Sequence, residues 1–378
     1  MSSEESNPND SYKLLTTNYS LMKVAIVHDF LCYWGGAERV VRGLHRILKD
    51  APIYTLFYKR DFVKAFFPHA DIRASFLHNV PFHRRFLLPF MPTAMEAFNL
   101  DEYDVIITSG TFAKGVITKP HAKHIHYCHT PPRFLWEEEE EYVRNNVPFG
   151  LKGGSSLLFH WLRLWDRHAS ERVDVMIANS EWTKNKIKKI YGREAKVIYP
   201  LYESFQFPVS SFQLKKNYFL IVSRLQRYKD IELAITVFNK LKIPLYIAGE
   251  GPDRRRLERL AGPTIKFLGF KSEEKLPLLY AHARGVILPG VEDFGLTVVE
   301  AMAQGTPALA YREGGARETI IEGKTGEFFD EQTVKSFWQG LQRFFANEKR
   351  YKAQEIVKQA EKFAFKVFER SIRSLIEK

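Results

Sequence analysis

Short apolar runs alternating with amphipathic helical stretches, twice over along one chain, restrict this sequence more than any other feature. From Lys23 the chain reads strand, helix, strand, helix, the pattern of a parallel sheet with helices on both faces. Residues 23–28 make a buried strand, and Gly35 and Gly36 then open a helix over 37–49. Residues 104–108, 123–127 and 173–178 are further strands. Asn179 and Ser180 lead into a basic helix that runs to Tyr191, and a strand over 196–199 ends at Pro200. The alternation restarts with strands at 218–222, 244–248, 265–268 and 285–288 and a helix over 230–240. The expected fold class is therefore α/β, with two similar halves in tandem. Such halves imply a cleft between them, where ligands sit at the carboxyl ends of strands. A chain of 378 residues is also longer than one hydrophobic core usually serves.

The expected boundaries are a polar tail over 1–21, a first domain over 22–200 and a linker over 201–216 that carries Pro208 and several serines. A second domain spans 217–356, and a terminal helix spans 357–378. The tail lacks the apolar centre of a signal peptide and reads as a disordered segment or an over-long start before Met22. No run approaches the roughly 18 apolar residues of a membrane-spanning helix. Two cysteines, Cys32 and Cys128, give no disulfide framework and fit a reducing cytoplasm. A net charge of +12 calls for an anionic partner, and nucleic acid, acidic lipid and a diphosphate substrate all qualify.

The chemistry concentrates in the second half. A strand ends near Leu288, a loop carries Glu292, and Gly295 permits close backbone approach just before a helix. Amides at a helix start receive phosphate oxygens, with the macrodipole adding attraction. Glu292 precedes that helix and Glu300 lies within it, so the two can grip different parts of one ligand; carboxylates suit vicinal hydroxyls. Simpler readings exist for both. Thr297 and Glu300 also fit a capping box, and Glu292 also fits a solvated loop charge. Arg224 and Lys229 follow a strand and lead into a helix, which places two cations beside a helix start. That arrangement suits a diphosphate and is otherwise electrostatically poor, although either residue alone would be an ordinary surface charge.

These residues together resemble the family-four retaining glycosyltransferases. The resemblance rests on Glu292-x7-Glu300, the Phe294, Gly295, Leu296 turn, Gly305 to Pro307, Gly314 and Gly315 with Glu318, and Arg224 with Lys229. It extends through Gly35, Gly36 and Arg39, the segment from His129 to Arg133, and the segment from Asn179 to Thr183. Bacterial members that transfer mannose or a related hexose in surface-polysaccharide assembly are the nearest likeness. The resemblance implies the GT-B fold, two Rossmann-like domains with parallel sheets facing a central cleft. It implies a nucleotide-diphosphate sugar donor, GDP-hexose or UDP-hexose, and a glycan or lipid-linked acceptor. Arg224 and Lys229 would bind the diphosphate and stabilise the leaving group. Glu292 would hold sugar hydroxyls, helped by the amides of Phe294, Gly295 and Leu296, and Glu300 would bind the ribose. Gly36 would admit the backbone to the phosphates or the acceptor, and His129 would sit near the transferred sugar. The implied attack is on the same face as departure, with the leaving phosphate taking the acceptor's proton. Asp230 departs from the pattern, since the family often has glycine after the phosphate-binding lysine. The reading adopted for it is a side-chain cap on the next helix.

Preorganised cations and helix-start amides do what other transferases assign to a divalent metal, and no Asp-x-Asp follows an apolar strand, so no metal or other cofactor is expected. His121, His124, His126, His129 and Cys128 suggest a metal cluster only superficially: His124, His126 and Cys128 alternate along a strand, and no matching ligand pair follows at zinc spacing. The five acids over 137–141 read as a solvated turn or helix face, with a basic partner as the alternative, and Trp136 reads as a packing residue. The basic-aromatic segment over 82–90 and Lys184, Lys186, Lys188 and Lys189 suit an anionic membrane surface, which makes the expected location cytoplasmic and peripheral on the inner face; an ordinary buried helix with basic flanks is the alternative. Phe363, Phe365, Phe368, Ile372 and Ile376 give the terminal helix an apolar face. The resemblance packs that helix on the first domain; packing on its own domain is the simpler alternative. A basic nucleic-acid-binding protein without catalysis is the rival outside the class, but no nucleic-acid module is recognisable and none is expected as a partner.

Overall fold

The computed structural model describes residues 22–81, 84–147, 152–202 and 217–377. The expected tail over 1–21 lies outside the described residues, as does the expected linker from 203 onward. The chain divides into two compact units. The first takes the described parts of Met1–Ala178 and Glu369–Lys378 together with Lys186–Ile198; the second takes Asn179–Asn185 and the described part of Tyr199–Phe368.

The first unit is built on a parallel sheet of seven strands: β1 (Val24–Leu31), β2 (Ile53–Tyr58), β3 (Ile72–Ala74), β4 (Val105–Ser109), β5 (Lys123–Cys128), β6 (Val175–Ala178) and β7 (Lys196–Val197). Ala25, Ile26 and Val27 are consecutive and fully buried, as a strand covered on both faces requires. The strand order is β3-β2-β1-β4-β5-β6-β7, so the winding reverses between β1 and β4. Val24 pairs with Val105 there, and the crevice at such a reversal lies beyond the carboxyl ends of the two strands. Helix α1 (Gly36–Ile47) starts soon after β1 and buries Val40, Val41, Leu44 and Ile47 at helical spacing. Helix α2 (Lys152–Glu171) follows, and α3 (Glu181–Tyr191) gives its first turn to the second unit and the rest, from Lys186, to the first.

The second unit repeats the plan with six strands: β8 (Tyr218–Val222), β9 (Leu245–Ala248), β10 (Ile265–Gly269), β11 (Ala283–Leu288), β12 (Ala308–Tyr311) and β13 (Gly326–Phe329). Its order is β10-β9-β8-β11-β12-β13, with the reversal between β8 and β11. Alternate residues of β8 feed two cores. Phe219 and Ile221 pack with Phe238 of α4 (Ile231–Leu241) and with Phe337 and Phe344, while Tyr218 and Leu220 join Tyr280, Val286 and Ala301. Each such buried side chain contributes about 1.5–3 kcal/mol, which fixes the strand ends firmly. Helix α5 (Leu296–Ala303) follows β11.

Three expectations need correction. The segment over 357–378 is not one helix. It runs as Ala353–Ala360, a tight turn at Glu361–Phe363, and α6 (Phe365–Ile376), because the Phe363 carbonyl accepts from the Tyr202 amide at 3.1 Å and Ala364 bridges to Tyr202 as a strand would. The acids over 137–141 do not stand in solvent alone: Glu139–Asn146 is a helix, one of the expected forms, and the alternative of basic partners holds. Glu137 pairs with Lys186 at 2.7 Å, Glu138 lies 3.6 Å from Arg133, and Glu139 pairs with Arg163. Nor do the lysines of α3 form an open basic patch: Lys184 meets Glu181 at 3.1 Å, Lys186 meets Glu137, and Lys188 meets Glu194. Residues 82 and 83 of the basic-aromatic segment lie outside the described residues; Leu87 and Leu88 within it are buried, and Phe86 and Phe90 are exposed. Among the described residues no helix is long and apolar enough to cross a membrane.

Candidate active site

In the second unit the candidate residues gather where the sheet reverses. Arg224 follows β8 with its side chain exposed, and a tight turn at Arg227–Lys229 then delivers the lysine. From β11 the chain passes Gly290 to Glu292. A Cβ at Gly290 would stand 2.7 Å from the Tyr228 carbonyl, so the two loops meet backbone to backbone. That contact sets Lys229 and Glu292 side by side, and their ammonium and carboxylate form an ion pair with side chains only 12% and 23% exposed. Gly314 and Gly315 hold Glu292 from behind. Its carbonyl accepts from the Gly315 amide at 2.9 Å, and Gly314, with φ of 82°, leaves no room for a side chain against that carbonyl.

Phe294 is buried against Tyr199 and Phe363, with ring centroids 5.7 and 5.4 Å away. It anchors the turn whose next residue, Gly295, takes φ of 84° and stands as the N-cap of α5. Only glycine adopts that conformation freely. No side chain caps the helix start among the described residues, so its first amides, Leu296 included, are placed to receive an anion. The capping box expected as an alternative for Thr297 and Glu300 does not form. Helix α5 begins at Leu296, ahead of Thr297, and the Glu300 carboxylate accepts from the Tyr280 hydroxyl at 2.7 Å. Thr306 in turn donates to the Tyr280 carbonyl at 2.7 Å, which ties the Gly305 to Pro307 segment to the helix that orients Glu300.

Asp230 is corrected as well. It occupies the N-cap position of α4 at φ of 50°, but its carboxylate makes no cap. It accepts instead from the Gln332 amide at 3.2 Å. Burial, and then the neighbouring Glu232, push its carboxyl up to about 6. The left-handed backbone supplies a physical reason for glycine at this position.

In the first unit, the ends of β1, β4 and β5 carry a connected polar set. His28 is buried, with Nδ1 2.8 Å from the Ser109 carbonyl and Nε2 3.6 Å from Glu38 of α1. Burial alone would lower its basicity, but Glu38, Asp29 and the Ser109 carbonyl outweigh it and raise the imidazole above its ordinary value. Asp29 accepts from the amides of Thr111, Phe112 and Ala113 at 2.5, 2.9 and 2.8 Å, pinning the loop after β4. The Ser109 hydroxyl lies 2.9 Å from Nε2 of His129, just beyond β5. Gly36 is exposed at the start of α1, and a Cβ there would meet nothing within 4 Å. His124 and His126 both bond to Thr108 at 2.9 Å, and burial lowers both, His124 to about 4. They are core residues. Trp136, read as packing, donates to buried Asp166 at 2.9 Å.

Two family models match the chain in succession: Glycosyltransferase Family 4 over residues 34–202, and Glycosyl transferases group 1 over residues 203–363. The chain belongs to the family-four glycosyltransferases. Among curated relatives, this glycosyltransferase is 24% identical to the alpha-1,3/1,6-mannosyltransferase ALG2 of Dictyostelium discoideum, over 94% of its own length and 98% of the relative's. Among solved structures it superposes on sucrose-phosphate synthase of Thermosynechococcus elongatus with a TM-score of 0.74 at 19% identity, covering 94% of this chain and 98% of that one. It superposes on HepE of Anabaena, solved with UDP and glucose, with a TM-score of 0.72 at 18% identity, covering 94% and 99%. Its fold is accordingly GT-B, two parallel-sheet α/β domains.

Within the second unit of the glycosyltransferase, Lys229 and Glu292 are in contact, and the Phe294, Gly295, Leu296 turn follows Glu292 after one residue, Asp293. Glu300 lies on α5, oriented by Tyr280. His129 and Gly36 belong to the first unit. Sequence reasoning missed Tyr280, Asp29, Ser109 and Glu38. A buried-strand carboxylate such as Asp29 offers a signal; Tyr280, inside an ordinary helical stretch, offers none.

Proposed function

We propose that this glycosyltransferase is a retaining hexosyltransferase that moves mannose from GDP-mannose to a glycan or lipid-linked acceptor in polysaccharide or glycolipid assembly. The observation that carries the proposal is the meeting of Lys229 and Glu292 at the β8/β11 reversal, with exposed Arg224 following β8 and the uncapped start of α5 following β11. The mannosyl donor is favoured by relatives named as mannosyltransferases. A second reading, transfer from a UDP-hexose of the glucosyl type, is favoured by HepE, solved with UDP-glucose.

In the proposed reaction the bond between the sugar's anomeric carbon and the β-phosphate oxygen breaks. Positive charge grows on the sugar and negative charge on the departing diphosphate. Arg224, Lys229 and the amides of Phe294, Gly295 and Leu296 stabilise that negative charge, the kind of contribution that is usually the largest single catalytic one. Glu292 holds sugar hydroxyls and Glu300 holds the ribose. On the first unit, Gly36 admits the phosphates and His129 steadies the transferred sugar. The acceptor hydroxyl bonds to the anomeric carbon from the face the diphosphate leaves, and its proton passes to the leaving phosphate. No metal is required, and the enzyme works in the cytoplasm, peripherally on an anionic membrane surface.

Proton NMR of the first product formed in chelator distinguishes the outcomes. An α-linked product from the α-linked donor at an undiminished rate is expected. A β-linked product would remove the retaining mechanism, and loss of turnover restored by a divalent cation would remove metal independence.

A further inference from the structure

The Lys229 ammonium and the Glu292 carboxylate are ion-paired, yet the proposed function gives each a different partner. Lys229 is to hold phosphate and Glu292 is to hold sugar hydroxyls, so the pair and the ligand compete for the same atoms. The backbones under both side chains are fixed. Gly290 presses on Tyr228 and Lys229, and Glu292 is bridged to Gly314 and bonded to Gly315. Only the side chains are left to exchange partners. The Lys229 Nζ also lies 4.7 Å from the Tyr228 ring centroid, a contact that keeps the ammonium on this side of the turn as it changes partner.

We propose that the Lys229–Glu292 pair is an exchange switch that makes the site prefer an intact sugar nucleotide over the nucleoside diphosphate left after transfer. An intact donor offers a diphosphate to the lysine and hydroxyls to the glutamate, so opening the pair leaves neither charge without a partner. The spent nucleotide offers phosphate alone. Holding it at Lys229 leaves the largely buried Glu292 carboxylate unsatisfied, and such a group costs free energy. Re-formation of the pair therefore competes with the product and promotes its release. The switch rests on the reading of Lys229 as a diphosphate ligand.

Calorimetric titration of GDP and of UDP into the wild type, Glu292→Gln, Lys229→Ala and the double variant tests it, with thermal melts confirming that each is folded. Glu292→Gln should bind the preferred nucleoside diphosphate tighter, on the order of fivefold, because its lysine is released. The same substitution should change nothing in the Lys229→Ala background. Equal or weaker binding by Glu292→Gln would overturn the switch. So would an equal gain without Lys229, which would reflect only the general field of a carboxylate near phosphate. A folded wild type that takes up neither GDP nor UDP would remove the diphosphate reading of Lys229, and the switch with it.

Discussion

Asp230 shows at the scale of a single residue how backbone and charge set what a position tolerates. Its left-handed backbone costs an L-residue about 1–2 kcal/mol and glycine little. Asp230→Gly should therefore be neutral, or stabilising by up to about 1 kcal/mol, with donor binding retained. The carboxyl, raised from 3.8 to about 6, also makes stability depend on pH. Between those values the folded chain keeps a proton that the unfolded chain has released, so stability falls as pH rises through that window. Thermal melts from pH 4 to 7 check both points: relative to Asp230→Gly, the wild type should lose stability as pH rises through that window. An identical slope in the two would place the effect elsewhere. Arg224, Lys229, Glu292 and Glu300 were legible as candidates in the sequence because each stands at a fixed offset from a strand end or a helix start. Tyr280 was not, since its contact with Glu300 spans the gap between a separate helix and α5 and has no local signature.

Between elements, the loop after β4 is fixed from two sides. Asp29 grips its amides, and Lys114 at its far end is buried with Nζ 2.6 Å from the Thr111 carbonyl and 2.5 Å from Asp166 of α2. Asp166 also accepts from Trp136 at 2.9 Å and Tyr191 at 2.8 Å, and it is wholly buried. Lys114→Met would leave that carboxylate without its cation and should cost about 3–5 kcal/mol, read as a lowered denaturation midpoint. A loss under about 1 kcal/mol would mean that Trp136 and Tyr191 satisfy Asp166 by themselves. Replacing both charges with apolar side chains should recover much of the loss. The strands were legible because fully buried parallel strands are written as unbroken apolar runs. The break at Phe363 was not, because its cause is the Tyr202 amide, far away in sequence.

For the whole molecule, two rounds of strand–helix alternation were enough to indicate two parallel α/β units, and both sheets reverse direction where ligand-binding loops belong. Net charge was a weaker guide. A total of +12 favours anionic partners in general, but three of the four lysines counted as a surface patch on α3 are paired with glutamates. Under the proposed function what matters is a few placed cations, exposed Arg224 after β8 and Lys229 in its pair with Glu292. Calorimetric titration of the full chain with GDP-mannose and with UDP-glucose, in chelator, tests that account most directly. It predicts micromolar binding of one donor by the wild type and a loss of about tenfold or more in Arg224→Ala, in line with the removal of a charge-assisted contact. A folded wild type that binds neither donor, or an Arg224→Ala variant that binds as well as the wild type, would contradict it.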